Sequence, residues 1–395
     1  MNAKEICDGV LWTGAIDWDR RLFDSLLPLP EGTSYNAYLV QGSEKTALID
    51  TVEPMMADVL KEHLAKVKKI DYIISQHTEQ DHSGTIPMIL EMYDRSIVVC
   101  SPKAKSMLID HLGLIDARIK TVADGESLSL GDKTLRFIHT PWVHWPETMT
   151  THLPEDRIVF TCDFLGSHIA TSELYAGDDP HVIEAAKRYY AEIMMPFRKA
   201  IQNNLKKLRE IEFDLIAPSH GPVHNHPEGI LSAYEDWVSD RVSNLVVIPY
   251  ISMHRSTETM VNYFASALVA RGIPVQKFEL STADIGEVAM ALVDAATMVI
   301  GTPTVYVGPH PSIASVIHLA NALRPKLKYT AIIGSYGWST KAVEQISELM
   351  PNLKVEVLGN VLCKGHPQDE TFTALNALAD AIRNKHMMNL KNIAY

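Results

Sequence analysis

Between Gln76 and Gly84 the chain reads QHTEQDHSG, which sets His77, Glu79, Asp81 and His82 within six positions, directly after the apolar run DYIIS. Two carboxylates and two imidazoles crowded this closely are costly unless a cation compensates them. A lone histidine after a strand is more often a hydrogen-bonded surface residue; four potential ligands together favour a metal. Further candidates follow other strand-like runs: His144 in TPWVHWPE, Asp163 after RIVFT, and His220 in PSHGP after DLIAPS. Loops at one sheet edge converge above a rigid scaffold, so separate strand ends can deliver one ligand set. His152, His168, His224 and His226 lack such neighbours and read as ordinary hydrogen-bonded histidines, with His168 a candidate to line the pocket.

A second group of residues suits an anion. SMHRSTETM (Ser252, Met253, His254, Arg255, Ser256, Thr257 and onward) follows a strand-like run and leads into a helix-like one. Hydroxyls beside the amides of a helix N-terminus fit a phosphate, although helix capping alone explains many such stretches. Two later loops add to it. GTPTVYVGP carries Thr302, Pro303, Thr304, Val305, Tyr306 and Gly308; GSYGWST carries Ser335, Tyr336, Gly337 and Trp338. Each offers glycine for close approach and an aromatic able to stack on a flat ring. No G-x-G-x-x-G occurs, so a mononucleotide fits better than a dinucleotide.

The elements that must position these residues differ between the two halves. SYNAYLVQGSEKTALID and LSLGDKTLRFIHT read as hairpins. Helical stretches are expected over 55–69, 84–94 and 181–210, a pattern of sheets flanked by helices. From NLVVIPYIS onward, strands at PVQKFEL, TMVIGTP, KYTAIIGS and LKVEVLG alternate with helices over 257–271, 284–294, 311–324, 340–349 and 369–384. That alternation predicts a doubly wound α/β domain. The expected domains are 1–243 and 244–395, a division that 395 residues accommodate. The net charge of −12 argues against nucleic acid or an anionic membrane as partner. Apolar runs are strand-length and the N-terminus is acidic where a signal peptide is apolar, so a cytoplasmic protein without a membrane span is expected. The four cysteines form no CxxC pair and read as free thiols.

The first half resembles the metallo-β-lactamase fold, whose hallmark is His-x-His-x-Asp-His. Here a carboxylate, Glu79, stands in place of the second imidazole. Imidazole-rich sites suit zinc, whereas mixed carboxylate and imidazole ligation suits redox-active non-haem iron. With Asp163 available to bridge, the pattern points to two irons and to redox chemistry rather than hydrolysis. The second half resembles flavodoxin, which binds FMN. Together, HTEQDHSG, TPWVHWPETM, CDFLGSH, PSHGP, SMHRSTETM, GTPTVYVGPHPS and GSYGWS occur in the order found in the flavodiiron proteins, also called A-type flavoproteins.

The resemblance implies a metallo-β-lactamase-like αββα sandwich followed by a flavodoxin-like domain. It implies that His77, Glu79 and His144 hold one iron, that Asp81, His82 and His220 hold the other, and that Asp163 bridges, with His82 the least secure. FMN would sit on Ser252–Thr257 and between the segments 302–308 and 335–338. Ile251, Ser339 and Thr340 depart from residues frequent in the family. The implied activity is reduction of dioxygen to water, of nitric oxide to nitrous oxide, or both. Electrons would come from a separate rubredoxin-like protein or a reduced deazaflavin or nicotinamide system. A head-to-tail homodimer or a dimer of dimers is expected. The rival readings are a zinc hydrolase with an appended flavodoxin domain, which leaves the flavin without a task, and an electron-transfer flavoprotein with a structural metal.

Overall fold

A computed structural model of the chain describes residues 3–393. Two compact units result: the chain up to Tyr190 with Phe197–Val238, and Ala191–Pro196 with the chain from Ser239 onward.

The first unit is a sandwich of two sheets. Among the described residues, one sheet runs Lys4–Cys7, Val10–Trp12, Tyr38–Gln41, Thr46–Ile49, Tyr72–Ser75, Ile97–Cys100 and Ile119–Thr121. Its first four strands pair antiparallel and its last four parallel. The second sheet runs Ser127–Ser129, Thr134–His139, Met149–Leu153, Ile158–Cys162 and Leu215–Pro218. Alternate side chains of each sheet point inward. Val10, Tyr38, Ile49, Ile74 and Val99 from one face therefore meet Leu135, Phe137, Met149, Phe160 and Ala217 from the other, and all are buried. This core fixes the strand ends from which the candidate ligands emerge.

The helical stretch expected over 181–210 is broken. A helix at Pro180–Tyr189 gives way to a wide turn at Tyr190–Met194 and a tight one at Met195–Phe197, before a second helix at Arg198–Arg209. Pro196 lacks the amide hydrogen a continuous helix needs and clashes one turn back.

In the second unit, five parallel strands run in the spatial order Val275–Glu279, Ser243–Tyr250, Ala295–Val305, Tyr329–Tyr336, Glu356–Lys364. Numbered along the chain, this is 2-1-3-4-5, the flavodoxin-like doubly wound order. Both faces are covered, so successive residues of one strand enter opposite cores. Val246 and Ile248 pack with Phe264 and Leu375; Val247 packs with Leu292, Ile313 and Ile346. The last strand starts three residues later than 353, where LKVEVLG begins, and extends to Lys364: Glu356 pairs with Tyr329 and Lys364 with Tyr336, and the register slips between Val357 and Asn360. Among the described residues no helix is long and apolar enough to cross a membrane.

Candidate metal centre

Each candidate ligand leaves a sheet edge in its own way. His77 and Glu79 lie in the turn after Tyr72–Ser75. Asp81 and His82 sit on a single helical turn, Gln80–Ser83. Gly84 closes that turn against Pro54; a side chain there would meet the Gln80 carbonyl oxygen at 2.5 Å and Pro54 Cγ at 2.6 Å. His144 lies between Thr134–His139 and Met149–Leu153, Asp163 directly follows Ile158–Cys162, and His220 follows Leu215–Pro218. The edges are tied together by backbone bonds: Met149 N–H to the Gln76 carbonyl at 3.0 Å, and Ser219 N–H to the Cys162 carbonyl at 2.8 Å.

The ligand atoms converge on two points. His77, Glu79, His144 and Asp163 offer atoms that all lie within 4.8 Å of one another, and so do Asp81, His82 and His220. Glu79 Oε2 is 3.1 Å from both His77 Nε2 and His144 Nε2. Asp81 Oδ2 is 3.3 Å from both His82 Nε2 and His220 Nε2. Asp163 reaches both groups: Oδ2 lies 3.5 Å from His77 and His144, and Oδ1 lies 2.9 Å from His82 and 3.3 Å from His220. All seven sequence-derived candidates are thus brought together, His82 included.

These contacts are short, but those made by Asp81 Oδ2, both Asp163 oxygens and His82 Nε2 lack the angles of hydrogen bonds, so these buried atoms, like Asp81 Oδ1, have no hydrogen-bond partner. Polar atoms that aim at a shared point rather than at each other fit a cation between them. The electrostatics agree. Burial would depress the imidazoles, but the surrounding carboxylates win: His77 and His220 are pushed up to about 10, and His82 and His144 up to about 9. Burial would likewise lift Asp163 and Glu79, yet the imidazoles hold both well below the usual carboxylate range. Three carboxylates and four imidazoles around two points suit iron better than zinc.

Other residues near the centre carried no clear sequence signal. Glu147, three positions after His144, accepts a hydrogen bond from His77 Nδ1 at 2.8 Å. His220 Nδ1 lies 2.6 Å from the Ser34 carbonyl oxygen. His168 is buried at 4.7 Å from the His220 ring and pairs with Thr33 Oγ1 at 2.8 Å. Phe23 lies 4.9 Å from His168, in the short strand Leu22–Phe23 that pairs with Leu27–Pro28. Glu147 was findable, since it is a carboxylate inside a ligand-bearing turn; Phe23 was not. Of the remaining histidines, His152 and His224 bond backbone carbonyls of Glu212 and Leu165, and His226 pairs with Asp178.

The anion-suited residues gather at the carboxyl edge of the second unit's sheet. Tyr250 pairs with Gly301, Thr302 with Gly334, and Pro303 with Ser335, so the three segments are adjacent. The segment 302–308 is not a simple loop. Thr302, Pro303, Thr304 and Val305 continue the strand Ala295–Val305, which turns at Tyr306 and Val307 and returns through Gly308–Pro309. Both turn residues have positive φ, +48° and +71°, the geometry of a tight hairpin turn. Ser335 and Tyr336 end the next strand, ahead of Gly337 and Trp338. Arg255 precedes the helix Ser256–Val269 without a side-chain hydrogen bond, and Ser252 Oγ accepts from Glu258 N–H at 3.2 Å, leaving the amides before Glu258 suited to a phosphate. Thr257 Oγ1 lies 3.0 Å from Ser335 Oγ. Tyr306 is 96% exposed and Trp338 86%, rare for large aromatics and fitting for a ring that stacks on them.

Residues 33–221 match the family described as ODP family beta lactamase. A Moorella thermoacetica protein named nitric oxide reductase is 36% identical, over 89% of this chain and 90% of its own. A Methanothermobacter marburgensis coenzyme F420H(2) oxidase is 33% identical over 96% and 99%. Among solved structures, rubredoxin oxygen:oxidoreductase from Desulfovibrio gigas superposes with a TM-score of 0.95 at 29% identity, covering 98% of this chain and 99% of that one. The flavodiiron protein of Giardia intestinalis gives 0.91 at 26%, covering 99% and 98%. With relatives this similar over nearly its full length, and with both architectures in the same order, the chain belongs to the flavodiiron proteins, the A-type flavoproteins.

Proposed function

We propose that this chain reduces dioxygen to water at a pair of irons supplied with electrons by FMN, and that the same centre reduces nitric oxide to nitrous oxide. The observation that carries the reading is Asp163, one oxygen facing each ligand set. His77, Glu79 and His144 would hold one iron, and Asp81, His82 and His220 the other. Residues 1–243 would form the metal-binding half and 244–395 the flavin-binding half. Ser252–Thr257 would hold the FMN phosphate, with the ring against Thr302–Gly308 and Ser335–Trp338. When bound, two ferrous ions and a reduced flavin supply the four electrons that convert dioxygen to two waters.

The chain's own part is positioning. Asp163 fixes the separation of the two sets. Glu147 and the Ser34 carbonyl orient the His77 and His220 rings. Phe23 and His168 cover the His220 side with apolar and neutral surface; burial holds the His168 imidazole well below its usual range. The nitric oxide reading is favoured by the Moorella relative's name.

No CxxC pair occurs among the four cysteines, so the donor in this proposal is a separate rubredoxin-like protein or a reduced deazaflavin or nicotinamide system. A head-to-tail homodimer completes it. Large apolar side chains are exposed both on segments adjoining the metal ligands (Leu22, Leu26, Met55, Trp142) and at the flavin segments (Met253, Tyr306, Trp338). The test is anaerobic reduction of the purified protein, followed by turnover with dioxygen and with nitric oxide side by side. Dioxygen should disappear without peroxide accumulating, and nitric oxide should be consumed as well. Consumption of neither gas, or stoichiometric zinc in protein grown with ample iron, would overturn the proposal.

A further inference from the structure

Each ligand set places two imidazoles, one carboxylate of its own and one oxygen of Asp163 around its point. The inner ligands are therefore matched in charge, and a difference between the two positions must come from what stands behind the imidazoles. There the sets differ. Glu147 Oε1 lies 2.8 Å from His77 Nδ1 and also accepts from Thr78 Oγ1 at 2.7 Å and Thr78 N–H at 3.1 Å. Its other oxygen, Oε2, is buried without a partner. Each of these contacts brings a donor to the carboxyl, as a carboxylate requires. In the second set, His220 Nδ1 meets the neutral carbonyl of Ser34 at 2.6 Å, and His82 Nδ1 is buried with no partner. A further buried carboxylate, Asp50, accepts from Gln76 N–H and Nε2 at 2.8 and 2.9 Å, lies 3.3 Å from Ser219 Oγ, and makes no hydrogen bond to a ligand imidazole.

Resting on the diiron reading above, we infer that Glu147 makes the two iron positions electronically unequal, so that the iron of His77, Glu79 and His144 stays ferric when the pair is half reduced. A carboxylate that accepts the outer N–H of a ligating imidazole makes that imidazole a stronger donor and favours the more highly charged metal. The first electron accepted by the diferric pair then goes to the iron of Asp81, His82 and His220, and the second to the iron of His77. Glu147 touches neither ion nor substrate; it is a positioning residue acting through His77.

The test is a redox titration of the iron-loaded, FMN-loaded protein followed by Mössbauer and EPR spectroscopy, comparing the wild type with Glu147→Gln and Glu147→Asp. Glutamine keeps the shape and loses the charge. Its lower iron potential should rise by about 60 mV, a tenfold change in ferric over ferrous preference at about 59 mV per tenfold for one electron, with the upper potential moving less. The half-reduced EPR signal should weaken accordingly, and Glu147→Asp should restore much of both. If Glu147→Gln loses metal, one iron per chain should go and one remain, with Glu147→Asp supplying the potentials. Both irons retained with unchanged or equally shifted potentials would overturn the inference, as would loss of both irons from Glu147→Gln. Wild-type protein without two irons would instead overturn the diiron reading itself, so the two failures are distinguishable.

Discussion

Were position 79 a histidine, the first ligand set would hold three imidazoles and share a single carboxylate, Asp163, with its neighbour. As glutamate, it gives each set a carboxylate of its own, and its Oε2 is equidistant, at 3.1 Å, from two imidazole nitrogens. Hard oxygen donors favour iron and imidazole-rich sets favour zinc. Glu79→His should therefore lower the iron-to-zinc ratio of protein grown with both metals by on the order of tenfold, the effect of about 1.4 kcal/mol in relative affinity. Metal analysis of the two proteins side by side decides it, and an unchanged ratio would remove the glutamate from the account. This much was legible in the sequence, because ligand type and crowding are local facts: QHTEQDHSG states four of the seven candidates outright. What could not be read was the outer layer. Ser34 and Phe23 reach the centre through the fold, the latter across 145 positions to His168, and nothing in their own segments announces it; only Glu147, three positions after His144, lay beside a ligand in the sequence.

The elements show why some spans were readable and others were not. The three central strands of the second unit are buried on both faces and read as continuous apolar runs, whereas the edge strands Val275–Glu279 and Glu356–Lys364 are partly exposed and were placed by their alternation with helices. The errors fall where tertiary pairing overrides local pattern. The hairpin through Tyr306 and Val307 has no Gly or Asn at its two turn residues, and the last strand runs on through a slip in register to Lys364. The interruption after Tyr189 needed only Pro196 to be given its weight. The helix Ser256–Val269 carries the most exacting expectation at this scale. Its N-terminus lacks a side-chain cap from Arg255, and Thr257 Oγ1 sits in the first turn beside Ser335. A hydrogen bond to a charged phosphate contributes about 1.5–3 kcal/mol, so Thr257→Val should weaken FMN binding roughly tenfold or more. Fluorescence titration of the flavin-stripped protein measures this, with iron content as the control. Unaltered flavin affinity would take the phosphate away from this helix, and a parallel loss of iron would undo the separation of the two cofactor sites.

Across the whole molecule the question is which flavin serves which irons. Exposed apolar side chains adjoin both candidate sites, and most soluble oligomers close through two-fold symmetry, in which one surface meets the other twice. In a head-to-tail pair, the flavin of one copy would face the irons of its partner. Two damaged chains can separate this from service within one chain. Asp163→Ala removes the bridging carboxylate and should leave at most one iron, with FMN near normal. A chain combining Ser252→Ala, Thr257→Val and Trp338→Ala should lack FMN and keep its irons. Each alone should be inactive. Co-expressed, head-to-tail dimers of the two would hold one intact pairing, the flavin of the first chain against the irons of the second. Random assembly then returns about a quarter of wild-type turnover per chain. If each flavin served only its own chain, no combination of these two variants would contain a working pair, and the mixture would stay as inactive as its parts. Sedimentation of the mixture establishes that dimers have formed, so an inactive mixed dimer would count directly against the head-to-tail arrangement.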